Sequence, residues 1–213
     1  MWYNKRRIYK KTVCCTDHIT SLTMVQYKLN YFDARSLDFR VNQETWPSYK
    51  PKAPTGKLPN IHFDGKVLSE TGAILRYLGR KYDLIGANEW EAAKADEVYD
   101  HYRDLAEPIR KYTIVAAGYG EGDLDHLYKE SFTPNRNIVF TYLTDVLSKS
   151  KSGFIVDSGV TWADLFIVEN VTTLLNVDPE SAKTYPEVAA YQERVYSLPQ
   201  IKTYVGTRKF SKF

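Results

Sequence analysis

Alternating apolar and polar positions begin at Met24, where MVQYKLNYF follows the two-residue period of a half-buried strand. The pattern predicts a strand over Lys28 to Phe32 and a second over Phe39 to Asn42, only a few residues later. A turn-rich stretch then ends in Gly56-Lys57-Leu58-Pro59. Beyond it, Asn60 to Phe63 and Lys66 to Leu68 flank Asp64-Gly65, a hairpin signal because such a turn needs positive φ. Next, ETGAILRYLGRKY (Glu70 to Tyr82) sets Ile74, Leu75, Leu78 and Tyr82 at helical spacing. Residues 24–82 therefore read as a small mixed α/β unit.

After Asp83 the period changes and no convincing strand remains. Asn88 followed by Glu91 reads as a capping box opening a long helix over about 89–113. A second helical stretch spans about 122–149, with Pro134 placed to kink or divide it. Thr161 and Asp164 form another capping box, here before the apolar run LFIVENVTTLL, and Pro186 and Pro199 punctuate the last two helices. No internal repeat is visible. Residues 83–213 read as all-helical.

Composition fits a globular chain, with 43% apolar and 26% charged residues. No window approaches the roughly 20 apolar residues of a membrane-spanning helix. The net charge of +3 belongs to the beginning of the chain. Residues 1–23 carry Lys5, Arg6, Arg7, Lys10 and Lys11 against Asp17, which leaves 24 basic and 25 acidic residues for the remainder. A nucleic-acid-binding domain would carry its charge on the fold itself, so that class is set aside. The expectation for residues 1–23 is a flexible basic tail; a targeting segment, a membrane-surface contact or palmitoylation at Cys14-Cys15 stay open beside it. The basic start MWYNKRRIYKK runs into TVCCTDH rather than an apolar stretch, which argues against a secretory signal. Those two cysteines are adjacent and cannot staple a fold. His18, His62, His101 and His126 lack ligand spacing, so no metal site is expected.

The chemistry concentrates in the α/β unit. An X-Pro bond such as Leu58-Pro59 before a strand is a candidate cis peptide, presenting backbone to an extended ligand. The helix opening at Glu70-Thr71 offers free N–H groups and a positive dipole end to a carboxylate. Trp46 and Lys50 could hold a second carboxylate, and Tyr31 could donate to a thiolate between them. The set suits a short peptide with a carboxylate at each end and a thiol in the middle. Taken singly, each has a plainer role: Tyr31 a core or interface residue, Trp46 a loop anchor, Lys50 a solvated charge, Pro59 a trans turn residue. Thr161 and Asp164 are explained by capping alone.

The segments YKLNYFDAR, QETWPSYKPKAP, GKLP, DGKVLSETGAILRYL, AAGYGEGDLDHLYKESF and SGVTWADLFI, in this order and spacing, resemble the glutathione S-transferases, most closely the sigma-like enzymes of nematodes. The resemblance covers about residues 24–207. It implies a thioredoxin-like α/β domain followed by an all-α domain, a cytoplasmic homodimer, and a detoxifying conjugation of glutathione to hydrophobic electrophiles. It also implies that no cofactor is needed, glutathione being a co-substrate, and it brings in prostaglandin isomerisation as a side activity. Tyr31 would be the catalytic tyrosine. Trp46 and Lys50 match residues holding the glycyl end, and Leu58, beside Lys57 and Pro59, the one pairing with the cysteinyl backbone. Glu70 and Thr71 match those gripping the γ-glutamyl carboxylate, where Gln-Ser is usual. Asp104 matches a residue reaching the partner subunit's glutathione.

One departure stands out. Parallel strands of a thioredoxin-like unit need a crossover of about a dozen residues or more, usually a helix. Asp33 to Asp38 supplies six. Compared with the family, about 16 residues after Arg35, comprising the first helix, are absent. Splicing, divergence of a copy or an imperfect gene model would each leave this gap. Two functions follow: a glutathione transferase, or a non-catalytic relative that binds apolar ligands or a dimer partner. Tail residues Trp2, Tyr3, Ile8 and Tyr9 are candidates to cover the exposed sheet face.

Overall fold

The computed structural model of the chain describes residues 28–32, 40–41 and 46–208. The tail, and with it every expectation for residues 1–23, lies outside them. Four strands form one sheet in the order β2-β1-β3-β4: β1 (Lys28–Phe32), β2 (Arg40–Val41), β3 (Asn60–Phe63) and β4 (Lys66–Ser69). β1 runs parallel to β2 and antiparallel to β3, which pairs antiparallel with β4. The hairpin turn has positive φ at Asp64 (47°) and Gly65 (70°), as the Asp-Gly pair demands. Seven residues, 33–39, separate the parallel strands, fewer than a helical crossover requires.

The stretch read as a turn-rich loop holds a short helix, α1 (Trp46–Tyr49), continued by a 3₁₀ turn over Lys50–Lys52 with Pro51 inside it. The hairpin leads into α2 (Thr71–Lys81), whose Ile74 is buried. On β3, Ile61 is 3% exposed and Asn60 fully buried.

The helical half contains α3 (Glu89–Ala106), α4 (Arg110–Ala116), α5 (Leu124–Leu127), α6 (Thr133–Ser148), α7 (Trp162–Val177), α8 (Ser181–Thr184), α9 (Pro186–Tyr196) and α10 (Pro199–Thr207). The long helix expected over 89–113 is broken. Pro108 has no N–H to continue the ladder, and Glu107–Ile109 tightens into a 3₁₀ turn before α4 resumes. The capping box at its start is half formed. Asn88 Oδ1 accepts from Glu91 N (3.0 Å), while the Glu91 carboxylate accepts from Ala87 N (2.7 Å) and Ser158 N (3.1 Å) rather than closing on Asn88. The 122–149 stretch divides where Pro134 suggested: a π-helical turn over Tyr128–Phe132 joins α5 to α6.

The box at α7 is complete. Buried Asp164 accepts from Thr161 N and Thr161 Oγ1 (both 2.7 Å), Ile155 N (2.9 Å) and Tyr191 Oη (2.9 Å), tying α7, the preceding loop and α9 together. Around it lies the main core, including Val98, Tyr99, Phe140, Leu143, Ile167 and Tyr191. The α/β part meets this core through α2, which packs on α7. Gly79 lies against the Trp162 indole, and a Cβ there would stand 2.5 Å from Trp162 Cδ1. Just past α2, Leu84 N donates to Gly79 O (2.8 Å) and Leu84 O accepts from Trp162 N (2.9 Å).

Candidate active site

The register of the sheet gathers the candidate residues from distant parts of the chain. Asn30 of β1, Asn60 of β3 and Ser69 of β4 are partners in one row. Because β1 and β4 run opposite to β3, the next row beyond it is Tyr31, Pro59 and Glu70. Adjacent strands lie about 4.8 Å apart, so the three backbones fall within roughly 10 Å at one end of the sheet. On the other side of β1, Tyr31 pairs with Arg40 of β2.

Each of the other members of this row carries a backbone feature. The Leu58–Pro59 peptide is cis. Glu70, the N-cap of α2, has φ 74° and ψ 126°. Positive φ in a non-glycine residue costs of order 1–3 kcal/mol and concentrates at functional sites. Its side chain caps none of the first-turn N–H groups of α2, so that turn keeps donors and a positive dipole end for an anion. The turn is firmly seated: a Cβ on Gly72 would come within 3.2 Å of the Tyr99 hydroxyl and 2.9 Å of an Arg76 nitrogen. Arg76 in turn binds Asp96 (2.9 Å) and Asp100 (2.6 Å) of α3.

Trp46 and Lys50 reach the same end of the sheet through Tyr49. The Tyr49 hydroxyl donates to Asn60 Oδ1 (2.8 Å), which also faces His62 Nε2 at 3.0 Å. With the proton on Nε2 the imidazole is a second donor to that oxygen. This small network pins the α1 segment, half-buried Trp46 and exposed Lys50 included, to β3 beside Pro59. Lys57 is exposed and follows Gly56, whose φ is 63°. Tyr49, Asn60 and His62 are not among the site residues expected from the sequence. Their one signal was that Asn60 and His62, two apart on β3, must share a face. Asp104 stands apart from the row, exposed on α3 and eight residues beyond Asp96 on the Asp96-Asp100 stripe.

Two family models match the chain: the N-terminal domain of glutathione S-transferases over residues 17–80 and their C-terminal domain over 103–208. Glutathione S-transferase 1 of Ascaris suum is 36% identical over 201 residues, 87% of this chain and 98% of the relative. Among solved structures, NaGST-2 superposes with a TM-score of 0.83 at 36% identity, covering 89% of this chain and all of the other. Monomeric Na-GST-3, from the hookworm Necator americanus, does so with 0.81 at 36% identity and the same coverage. A sheet ending in this row, followed by this helical bundle, has the glutathione S-transferase fold. The chain belongs to the glutathione S-transferase family.

Proposed function

We propose that the chain conjugates reduced glutathione to electrophilic small molecules through a thiolate stabilised by Tyr31. The observation that carries this reading is the row of Tyr31, Pro59 and Glu70 at one sheet end, beside the uncapped first turn of α2. In this reading Glu70 and Thr71 hold the γ-glutamyl carboxylate, the Leu58 backbone pairs with the cysteinyl unit, and Trp46, Lys50 and Lys57 hold the glycyl carboxylate. A thiol with its ordinary pKa of about 8.5 is only a few per cent ionised at pH 7. A hydroxyl donating to sulfur favours the thiolate, which attacks the electrophile; the S–C bond forms as the leaving group departs or a proton is taken up. The sigma-like character, the prostaglandin isomerase side activity, and a detoxifying role in the cytoplasm belong to the same proposal. So does a homodimer in which Asp104 reaches the partner subunit's glutathione amino group. Here the monomeric hookworm neighbour argues for measuring the oligomeric state directly.

The test is the initial rate of conjugation to 1-chloro-2,4-dinitrobenzene, with Tyr31→Phe alongside. The expected result is a loss of about tenfold or more in rate with little change in glutathione affinity. Equal rates would remove Tyr31 from the role. A second reading is favoured by the seven-residue link between β1 and β2: a binding relative without turnover. It predicts uptake of apolar probes by folded protein that conjugates no faster than the variant.

A further inference from the structure

On the helical half, a groove of about 350 Å³ opens between the start of α3 and the end of α6, lined, among the described residues, by ones between 90 and 157. That volume lies within the range of small-ligand pockets, roughly 300–1,000 Å³. No residue of the sheet or of α2 borders it, so it is separate from the row at the sheet end. Its floor is apolar: Ile155 and Val156, each 4% exposed, with Val146 beside them. Two aromatic side chains also line the groove, Trp90 from α3 and half-buried Tyr142 from α6. Trp90 is 75% exposed, the most exposed large apolar side chain among the described residues. An exposed indole beside buried apolar side chains offers a stacking surface to a flat ring.

The rim selects the charge of the occupant. Glu91, Glu97, Asp145 and Asp157 border the groove against Lys94 and Lys149. Both lysines are already paired: Lys94 Nζ with the two Glu97 oxygens (2.9 Å each), and Lys149 Nζ with Asp145 Oδ2 (2.6 Å). Glu91 accepts from the backbone N–H groups of Ala87 and Ser158 and from the Ser158 side chain, and Asp157 from the Lys151 N–H, so neither is paired with a cation among the described residues. Two negative charges therefore remain. The Tyr142 hydroxyl is pushed up to about 12, by burial first and then by the Glu97 and Asp145 carboxylates.

We propose that this groove is a second ligand site, taking a flat aromatic organic cation stacked on Trp90 over the Ile155-Val156 floor. An anion is repelled by the rim. A neutral ring gains the stacking without the attraction of the cation to the indole face and the carboxylates. The site needs neither glutathione nor the chemistry of the other half of the molecule.

The test is calorimetric titration of the full chain at pH 8 with N-methylacridinium and with acridine, its neutral counterpart at that pH, in the presence of S-hexylglutathione to occupy the transferase cleft. N-methylacridinium is expected to bind at one site, about tenfold more tightly than acridine. Trp90→Ala, a change on an exposed helix face, should weaken it by about tenfold or more, and Glu97→Gln by about threefold. Equal binding of the two probes, unchanged binding to Trp90→Ala, displacement by S-hexylglutathione or absence of binding would each overturn the proposal.

Discussion

The two halves of the molecule are held together by different means. In the helical half, a dozen large side chains between Val98 and Tyr191 are less than 2% exposed. Each such Val, Leu, Ile or Phe contributes roughly 1.5–3 kcal/mol by leaving water. Over residues 46–82 of the α/β half, the buried apolar residues are Ala53, Ile61 and Ile74, with the polar Asn60 among them. The part of the candidate active site borne by residues 46–82 therefore leans on its neighbour. Gly72 seats the first turn of α2 on Tyr99, and Gly79 seats its last turns on Trp162. The helical half is a scaffold with its own core, and the seam along α2 transmits that rigidity to the row at the sheet end.

The sharpest way to break the scaffold is Asp164→Ala. Four donors, Thr161 N, Thr161 Oγ1, Ile155 N and Tyr191 Oη, would lose their acceptor inside the core. Leaving buried donors unmet costs about 1–3 kcal/mol apiece before relaxation, and the lost cap adds about 1. A net loss of about 4 kcal/mol is expected, lowering Tm by roughly 8–16 °C for a chain of this size. A melting curve within a degree or two of wild type would show that α7 does not depend on this carboxylate.

The seam is tested next by Gly79→Ala. Replacing glycine inside a helix ordinarily gains up to about 1 kcal/mol. Here the new Cβ would meet Trp162 Cδ1 at 2.5 Å and Cγ at 2.8 Å, and overpacking of this kind costs about 1–3 kcal/mol. Gly206, in α10, has nothing among the described residues within 4 Å of the same added carbon and is the control. Gly79→Ala should destabilise by about 1–2 kcal/mol and raise KM for glutathione, whereas Gly206→Ala should be neutral or slightly stabilising. Chemical denaturation of the pair separates the clash from helix propensity, and equal shifts would dissolve the seam.

Much of this arrangement was legible wherever a local rule decides it. Asp64-Gly65 announced the hairpin because its turn needs positive φ at two successive residues. Thr161 and Asp164 announced α7 because an N-cap lies within four residues of its partner. The Leu58-Pro59 pair was marked as a candidate cis peptide for the same local reason, and it is cis. What escaped reading depends on contacts between distant elements. The α1 turn is held by Tyr49 reaching Asn60, eleven residues on. Glu91 forsakes its own capping box for Ser158, sixty-seven residues away. The Trp90 groove requires α3 to meet α6. Pro108 is the exception: its effect is local, and the interruption of the helix at Glu107 could have been read from the missing N–H.

A smaller effect, aimed at the site itself, is expected from Tyr49→Phe. The ring stays, while the bond to Asn60 Oδ1 and the longer contact to His62 Nε2 (3.5 Å) are lost, a net loss of about 1 kcal/mol. Asn60 keeps its contact with His62, so the sheet should hold while the segment bearing Trp46 and Lys50 loosens. KM for glutathione should rise about threefold with kcat nearly unchanged, since the lost contact serves binding rather than bond-making. An equal fall in kcat would mean that Tyr49 also shapes the reacting centre.

The smallest change carries the opposite sign. Tyr102 is 1% exposed, its hydroxyl has no hydrogen-bond partner among the described residues, and burial drives its ionisation well above the ordinary tyrosine range. Its ring packs edge-on to Phe166 at 6.4 Å between centroids, a contact that phenylalanine preserves. Tyr102→Phe therefore deletes a desolvated polar group without opening a cavity around the ring, and removing such a group is neutral or stabilising by up to about 1 kcal/mol. The helical half has stability to gain from losing this hydroxyl, because its dense core leaves it unmet among the described residues. A destabilisation beyond about 1 kcal/mol in chemical denaturation would mean that the hydroxyl has found an acceptor in solution, and the contrast between a self-sufficient scaffold and a dependent site would need redrawing at α3.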